Sequence, residues 1–132
     1  MADDTTIYER TANDLRRYFQ AIDLVFFGGQ LGQDGVRIRW KKFRPRQNEF
    51  LFAQYHSDQQ LIEVNVRLKE HDVPDYVLLH TIHHECLHHV ISIDHDTAFN
   101  EAELRFPWHW QSEKWSDNFV LMMGKPVTLK LC

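Results

Sequence analysis

Thr81-Ile82-His83-His84-Glu85-Cys86-Leu87-His88 is the stretch that decides the fold, because its two outer ligand-type residues, His84 and His88, stand four apart. On an α-helix such positions lie one above the other, with Cβ atoms about 5–6 Å apart. Two imidazoles at that spacing can grip one metal ion from the same side. Glu85 follows the first of them, so its carboxylate falls beside the metal and outside the ligand pair, where it can take a proton from water. With 9 His and 8 Glu in 132 residues, chance alone yields about 0.04 such patterns in a chain of this composition. The context therefore has to carry the reading.

Around this stretch the spacing predicts a helix from about Pro74 to Ile93, with Pro74 near the first turn, where a missing N–H costs little. Leu79, Ile82, Cys86 and Val90 recur on one stripe, and His84 and His88 fall on the opposite side with Glu85 between. One face is thus expected to pack into a core and the other to present ligands to a cleft. His80, His83 and His89 are expected at the rim, behind the ligands or in solvent, although His80 also stands four before His84 as a rival partner. Cys86 lies on the apolar stripe and reads as a small core residue.

A catalytic zinc takes three protein ligands and keeps one position open. His95, beyond the expected end of the helix, is the candidate third ligand, with Glu101 or Glu103 as the alternative. Phe99 would anchor the next helix. The spacing does not suit the metzincin pattern, in which five residues including a glycine separate the last two ligands.

These residues resemble the SprT-like metallopeptidase domain. The likeness extends upstream to Phe26-Phe27-Gly28-Gly29-Gln30-Leu31, to Val36-Arg37-Ile38-Arg39-Trp40 and to Ile62-Glu63-Val64-Asn65-Val66-Arg67-Leu68, and covers roughly residues 11–105. It implies an α+β, zincin-like fold, with an N-terminal helix and the His-Glu-x-x-His helix packed on a small, mainly antiparallel sheet. It implies one Zn2+ per chain held by His84, His88 and His95, with Glu85 as the catalytic base. The activity implied is hydrolysis of peptide bonds in a protein or peptide substrate. Two departures stand out: Asp96 occupies the position after the third histidine, where the family often has Gly, and Cys86 and Cys132 are the only cysteines, so the paired cysteines of a zinc ribbon are absent from these residues.

The remaining sequence fits one domain over residues 1–132, with 43% apolar and 13% aromatic residues arguing against disorder. No stretch approaches the roughly 20 apolar residues of a membrane span, no signal peptide opens the chain, and two cysteines make no disulfide framework, so a cytoplasmic protein with no membrane partner is expected. A first helix is expected over about Thr6–Phe27, its buried face marked by Ile7, Leu15, Tyr18, Phe19, Ile22 and Phe26 and its end by Gly28-Gly29. Val36, Ile38 and Trp40 alternate with Arg37 and Arg39 as a strand with one wet face. Phe50–His56 and Leu61–Leu68 form a hairpin about Ser57-Asp58-Gln59, with Ile62, Val64, Val66 and Leu68 pointing one way from its second arm and Glu63, Asn65 and Arg67 the other. Helices near Asp96–Arg105 and from Ser112 to Gly124 follow, and Val127–Leu131 adds a short strand.

Arg37, Arg39, Lys41, Lys42, Arg44 and Arg46, interleaved with Trp40 and Phe43, form a basic stretch in a chain whose net charge is −4. Such a pattern suits a nucleic-acid backbone with unstacked bases, and it equally suits the solvated face of a strand. SprT-like relatives include DNA-dependent proteases of the Spartan type, so DNA stays open as a partner. Trp108, Trp110 and Trp115 read as core and cleft wall. An extended substrate would pair with an exposed strand beside the site, with Leu61–Leu68 or its neighbour supplying the edge. Tyr55, His56, Arg67 and His109 are candidates to stabilise the oxyanion. The competing class is a nucleic-acid-binding or partner-binding module that keeps the fold around a structural or weakly active metal site. The sequence carries no signal of oligomeric state.

Overall fold

The computed structural model describes residues 9–44, 49–122 and 128–132, with the side chains of 121, 122 and 128–130 outside the description. Helix α1, Ala12–Phe27, begins at a capping box: Thr11 Oγ1 accepts from the Asp14 N–H at 3.1 Å, and Asp14 Oδ2 accepts from the Thr11 N–H at 2.8 Å. That pair satisfies two N–H groups left free at a helix start, which is why the helix begins six residues later than the apolar spacing suggested. Ile7 lies outside the described residues. Leu15, Phe19 and Ile22 are buried, and Tyr18 and Phe26 pack against the same core.

Arg10, just ahead of the cap, is buried and donates to the carbonyls of Leu68, Glu70 and Val73 and to Asp75 Oδ1 at 2.6–3.2 Å. It ties the start of α1 to the loop that leads into the histidine helix. Gly28, at φ 61°, ends α1 in the left-handed region that favours glycine. The Asp23 carboxylate then accepts from the Leu31 and Gly32 N–H groups at 2.9 and 2.8 Å, fixing the short helix α2, Gln30–Gln33.

The sheet has four strands, β1 Arg37–Lys41, β2 Glu49–His56, β3 Leu61–Asn65 and β4 Thr128–Leu131, in the order β1-β3-β2-β4. β2 and β3 form the expected antiparallel hairpin, but β1 runs parallel to β3 and β4 parallel to β2. The sheet is therefore mixed where a mainly antiparallel one was expected. β3 lies inside it, so Leu61–Leu68 supplies no free edge; β1 and β4 are the edges.

The second arm also stops earlier than its alternation suggested. Asn65 Oδ1 accepts from the Arg67 N–H, and its amide donates to the Leu51 carbonyl, both at 2.9 Å, so the chain turns into a 3-10 turn at Val66–Lys69. Glu63, expected to point away from Ile62 and Val64, is 2% exposed. Arg39 bonds Glu63 Oε2 at 2.6 Å, and Gln54 and His56 bond Oε1 at 3.0 and 2.7 Å. Burial pushes this carboxyl up, but the bonds from Arg39, His56 and Gln54 outweigh it and hold the pKa at about 2.

Helix α3, Asp75–Val90, carries the histidines. It packs on α1 and β2, with Ile82 and Cys86 fully buried. α4, Thr97–Leu104, and α5, His109–Met122, cover its other side. α3 is consequently buried on nearly every side: His80 and His83, expected behind the ligands, at the rim or in solvent, are 2% and 3% exposed, which leaves neither at the rim nor in solvent. α5 starts three residues before the expected Ser112, and Gly124 lies outside the described residues. Trp115 stacks on Phe119, whereas Trp110 is exposed and Trp108 partly so. Among the described residues no helix is long and apolar enough to cross a membrane.

Candidate metal centre

His84, Glu85 and His88 come from one face of α3, and His95 comes from the loop between α3 and α4. Asp96, standing where glycine is often found in the resembled family, has a local task here: its carboxylate caps α4 by accepting from the Phe99 N–H at 2.9 Å. The cap turns the chain back, and Asn100 donates to the His95 carbonyl at 3.2 Å. Phe99 is fully buried, with its ring 4.6–4.9 Å from the rings of His84, His88 and His95. One aromatic side chain thus packs against all three imidazoles.

His95 Nε2 lies 3.2 Å from His84 Nε2 and 3.2 Å from His88 Nε2. A tetrahedral centre with bonds of ~2.0–2.1 Å spaces its ligand atoms about 3.3 Å apart, so His95 already stands at the right separation from both helix histidines. The far nitrogens settle the tautomers. His88 Nδ1 meets the Ser92 carbonyl at 2.9 Å, and a carbonyl only accepts, so Nδ1 carries the hydrogen. His84 Nδ1 is bonded to Glu103, whose carboxyl is pushed up by burial but held below its usual range by the bond and charge of His84. Burial, partly offset by the Ser92 bond, lowers the His88 pKa and favours the neutral ring. In the neutral rings the Nε2 lone pairs of His84 and His88 then converge on the point that His95 Nε2 faces. Lone pairs gathered this way repel one another unless a cation sits among them.

Glu85 is fully buried, and neither carboxylate oxygen has a hydrogen-bond partner in the protein. Burial, reinforced by Glu103, raises its pKa well above the ordinary carboxyl value. A bare buried carboxyl is expensive unless solvent or an ion completes it. Together, a convergent imidazole trio and an orphaned carboxylate fit a transition metal with nitrogen ligands and an adjacent base.

The other candidates fall elsewhere. Glu103 stands behind His84 and is not among the three convergent donors, and Glu101 is exposed on α4. The backing role of Glu103 escaped the sequence, which marked it only as an alternative third ligand. Tyr55 is bonded to His89, His56 to Glu63, and Arg67 to Asp72, while His109 faces His80. His89 also meets Asp34 at 2.8 Å. Cys86 is a core residue as expected, its thiol pKa raised by burial. Of the basic stretch, Arg37, Lys41, Lys42 and Arg44 are exposed, Arg39 is committed to Glu63, and Arg46 lies outside the described residues.

No family model matches this chain, and no curated protein matches it in sequence. Among solved structures it is similar to the crystal structure of the metallopeptidase zymogen of Methanocaldococcus jannaschii jannalysin, with a TM-score of 0.55 and 18% identity over 93% of this chain and 94% of that one. At that identity the likeness establishes the α+β fold.

Proposed function

We propose that this protein is a zinc-dependent peptidase in which His84, His88 and His95 hold one ion and Glu85 is the general base. The observation that carries the reading is the convergence of three Nε2 atoms at 3.2 Å contacts. The metallopeptidase fold of the structural neighbour supports it, as does the resemblance to SprT-like domains. Bound at this trio, zinc would supply a Lewis acid that polarises a peptide carbonyl and lowers the pKa of water to about 7.

The chain's own residues do the rest. Glu103 and the Ser92 carbonyl hold the His84 and His88 rings in the tautomer that leaves Nε2 free. Phe99 prevents those rings from turning. Glu85 accepts the proton of the attacking water at a carboxylate oxygen, and its buried setting favours holding that proton until the leaving amine takes it. His95 is exposed, so substrate reaches the site from its side. The edge strand β4, which packs against α3, is the better place than β3 for an extended peptide to pair.

Metal content and hydrolysis should be measured together for the unmodified chain, Glu85→Gln and His95→Ala. Glu85→Gln should keep the metal and lose about 10²–10⁴-fold in hydrolysis; full activity there would refute the base assignment. His95→Ala should weaken metal binding sharply, and unchanged affinity would remove it from the ligand set.

A second reading, nucleic-acid association, draws on one observation: Arg37 and Lys41 on edge strand β1, with Lys42 and Arg44 beyond it, are all exposed. Reversing the charge of Arg44 and Arg46 should abolish binding to single-stranded DNA in a salt-dependent manner while zinc remains. Binding unaffected by that reversal would dismiss the reading.

A further inference from the structure

We propose that His80, His109 and Glu113 form a second metal site, specific for a zinc-class divalent ion, that pins α5 to α3. One ring nitrogen of each histidine and a carboxylate oxygen of Glu113 lie within 4.8 Å of one another. None of the three belongs to the His84, His88 and His95 group. Glu113 follows His109 by four residues on α5, so the two share a helix face just as His84 and His88 do on α3. His80 completes the set from across the helix interface.

The histidines are built into this position. His80 and His109 are 2% and 6% exposed, and their rings meet edge to face at 5.1 Å. His80 also stacks on Phe106, at 5.6 Å between ring centres. Its Nδ1 lies 2.8 Å from Ser112 Oγ, itself buried on α5. With Nδ1–H donating to that hydroxyl, Nε2 keeps its lone pair, and no protein atom meets it. His109 Nδ1 is likewise buried without a partner. Two orphaned imidazole nitrogens from different helices, beside a carboxylate, call for a ligand that accepts nitrogen lone pairs.

The donor set chooses the ligand class. Two imidazoles and one carboxylate suit zinc and its first-row neighbours, whereas calcium and magnesium want oxygens. The surroundings favour a cation: Glu103, Glu113 and Asp117 line the adjoining cavity of about 540 Å³ and outnumber Lys114 there. Glu113 is exposed, so its carboxylate can swing in to bring a set that already lies within 4.8 Å to the about 3.3 Å of a tetrahedral edge. The cavity leaves the fourth position to water. This site would secure α5 while the first does the chemistry.

The test uses the full chain stripped of metal by a chelator and titrated with Zn2+, then separately with Co2+. The unmodified protein should bind two ions. The double variant His84→Ala, His88→Ala should retain one, and its binding should slow amide exchange across residues 109–122. Glu113→Gln, an exposed change that threatens no packing, should weaken that ion at least about tenfold and leave the other unchanged. An unmodified chain that binds a single ion lost with His84 and His88 would overturn the proposal. So would affinity unaltered by Glu113→Gln. A single ion that survives loss of His84 and His88 and vanishes with Glu113→Gln would support it, even though the peptidase reading would then fall.

Discussion

Glu103 offers the sharpest test of how the histidine trio is held. Its carboxylate is bonded to His84 Nδ1, and the two side chains are only 16% and 5% exposed. Charge-assisted hydrogen bonds of this kind contribute about 1.5–3 kcal/mol, which corresponds to about 10–100-fold in an equilibrium constant. Glu103→Gln preserves an acceptor for the Nδ1 hydrogen but removes the negative charge, so zinc affinity should fall by about tenfold. Glu103→Ala removes acceptor and charge together and should approach about a hundredfold. Competition titration against a zinc chelator of known affinity, run on both variants and on His95→Ala, reads these values directly. Affinity unchanged in Glu103→Ala would mean that His84 needs no orienting partner. A loss in Glu103→Gln as large as that of His95→Ala would instead make Glu103 a ligand, the role the sequence kept open for it.

Two further perturbations address the scaffold. The Glu63 pKa of about 2 lies below the ordinary 4.5 of an unfolded chain, so its contribution is fully present above that value and disappears as pH falls through 2. The full span is worth roughly 3 kcal/mol, of which about 2 kcal/mol is lost between pH 7 and pH 3; urea unfolding at those two values should show that loss, and Glu63→Gln should remove this part of the pH dependence. Arg10→Met leaves three carbonyls without this donor, and Asp75 with Tyr18 and solvent, and should cost about 3 kcal/mol. Thermal unfolding that shifts by less than the equivalent of about 1 kcal/mol would show that the loop before α3 holds without it.

The sequence revealed elements whose cause is local and missed those whose cause is distant. Leu15, Phe19 and Ile22 announce α1 by spacing, and Gly28 announces its end, because both effects act within one or two turns. Thr11 and Asp14 also form a local signal, and reading the capping box would have corrected the helix start. His84, Glu85 and His88 were legible because four-residue spacing on a helix converts directly into ligand geometry. His95 was reachable by counting residues past the helix end. The burial of Glu63 was not legible, because alternation assigns a face but cannot see that Arg39, on a strand 24 residues earlier, returns beside it. The direction of β1 and the placement of β4 depend on crossovers, which leave no periodic trace. His80 and His83 were left between the rim, solvent and a place behind the ligands because a polar stripe normally faces solvent, and nothing local says that α4 and α5 fold over it.

That covering of the polar stripe is what metal chemistry on this helix would require. An imidazole exposed to water rotates and titrates freely; one enclosed by Phe99 and backed by Glu103 or Ser92 keeps one orientation and one tautomer. Enclosure also creates a demand, because a buried polar atom without a partner costs about 1–3 kcal/mol. Apart from Arg10 Nε, the orphaned buried atoms among the described residues belong to His80, His83 and Glu85 on α3 and to His109 on α5. His83 is wrapped by Phe26, Phe27 and Phe106 and behaves as an aromatic disc, kept neutral by burial at a pKa of about 4. His80, although it too stacks on Phe106, stands with Glu85 and His109 beside other side chains able to bind a metal or move a proton. The same packing that buries α3 therefore leaves unmet polar atoms at two places along it, and metal ions with their waters are the partners that fit both.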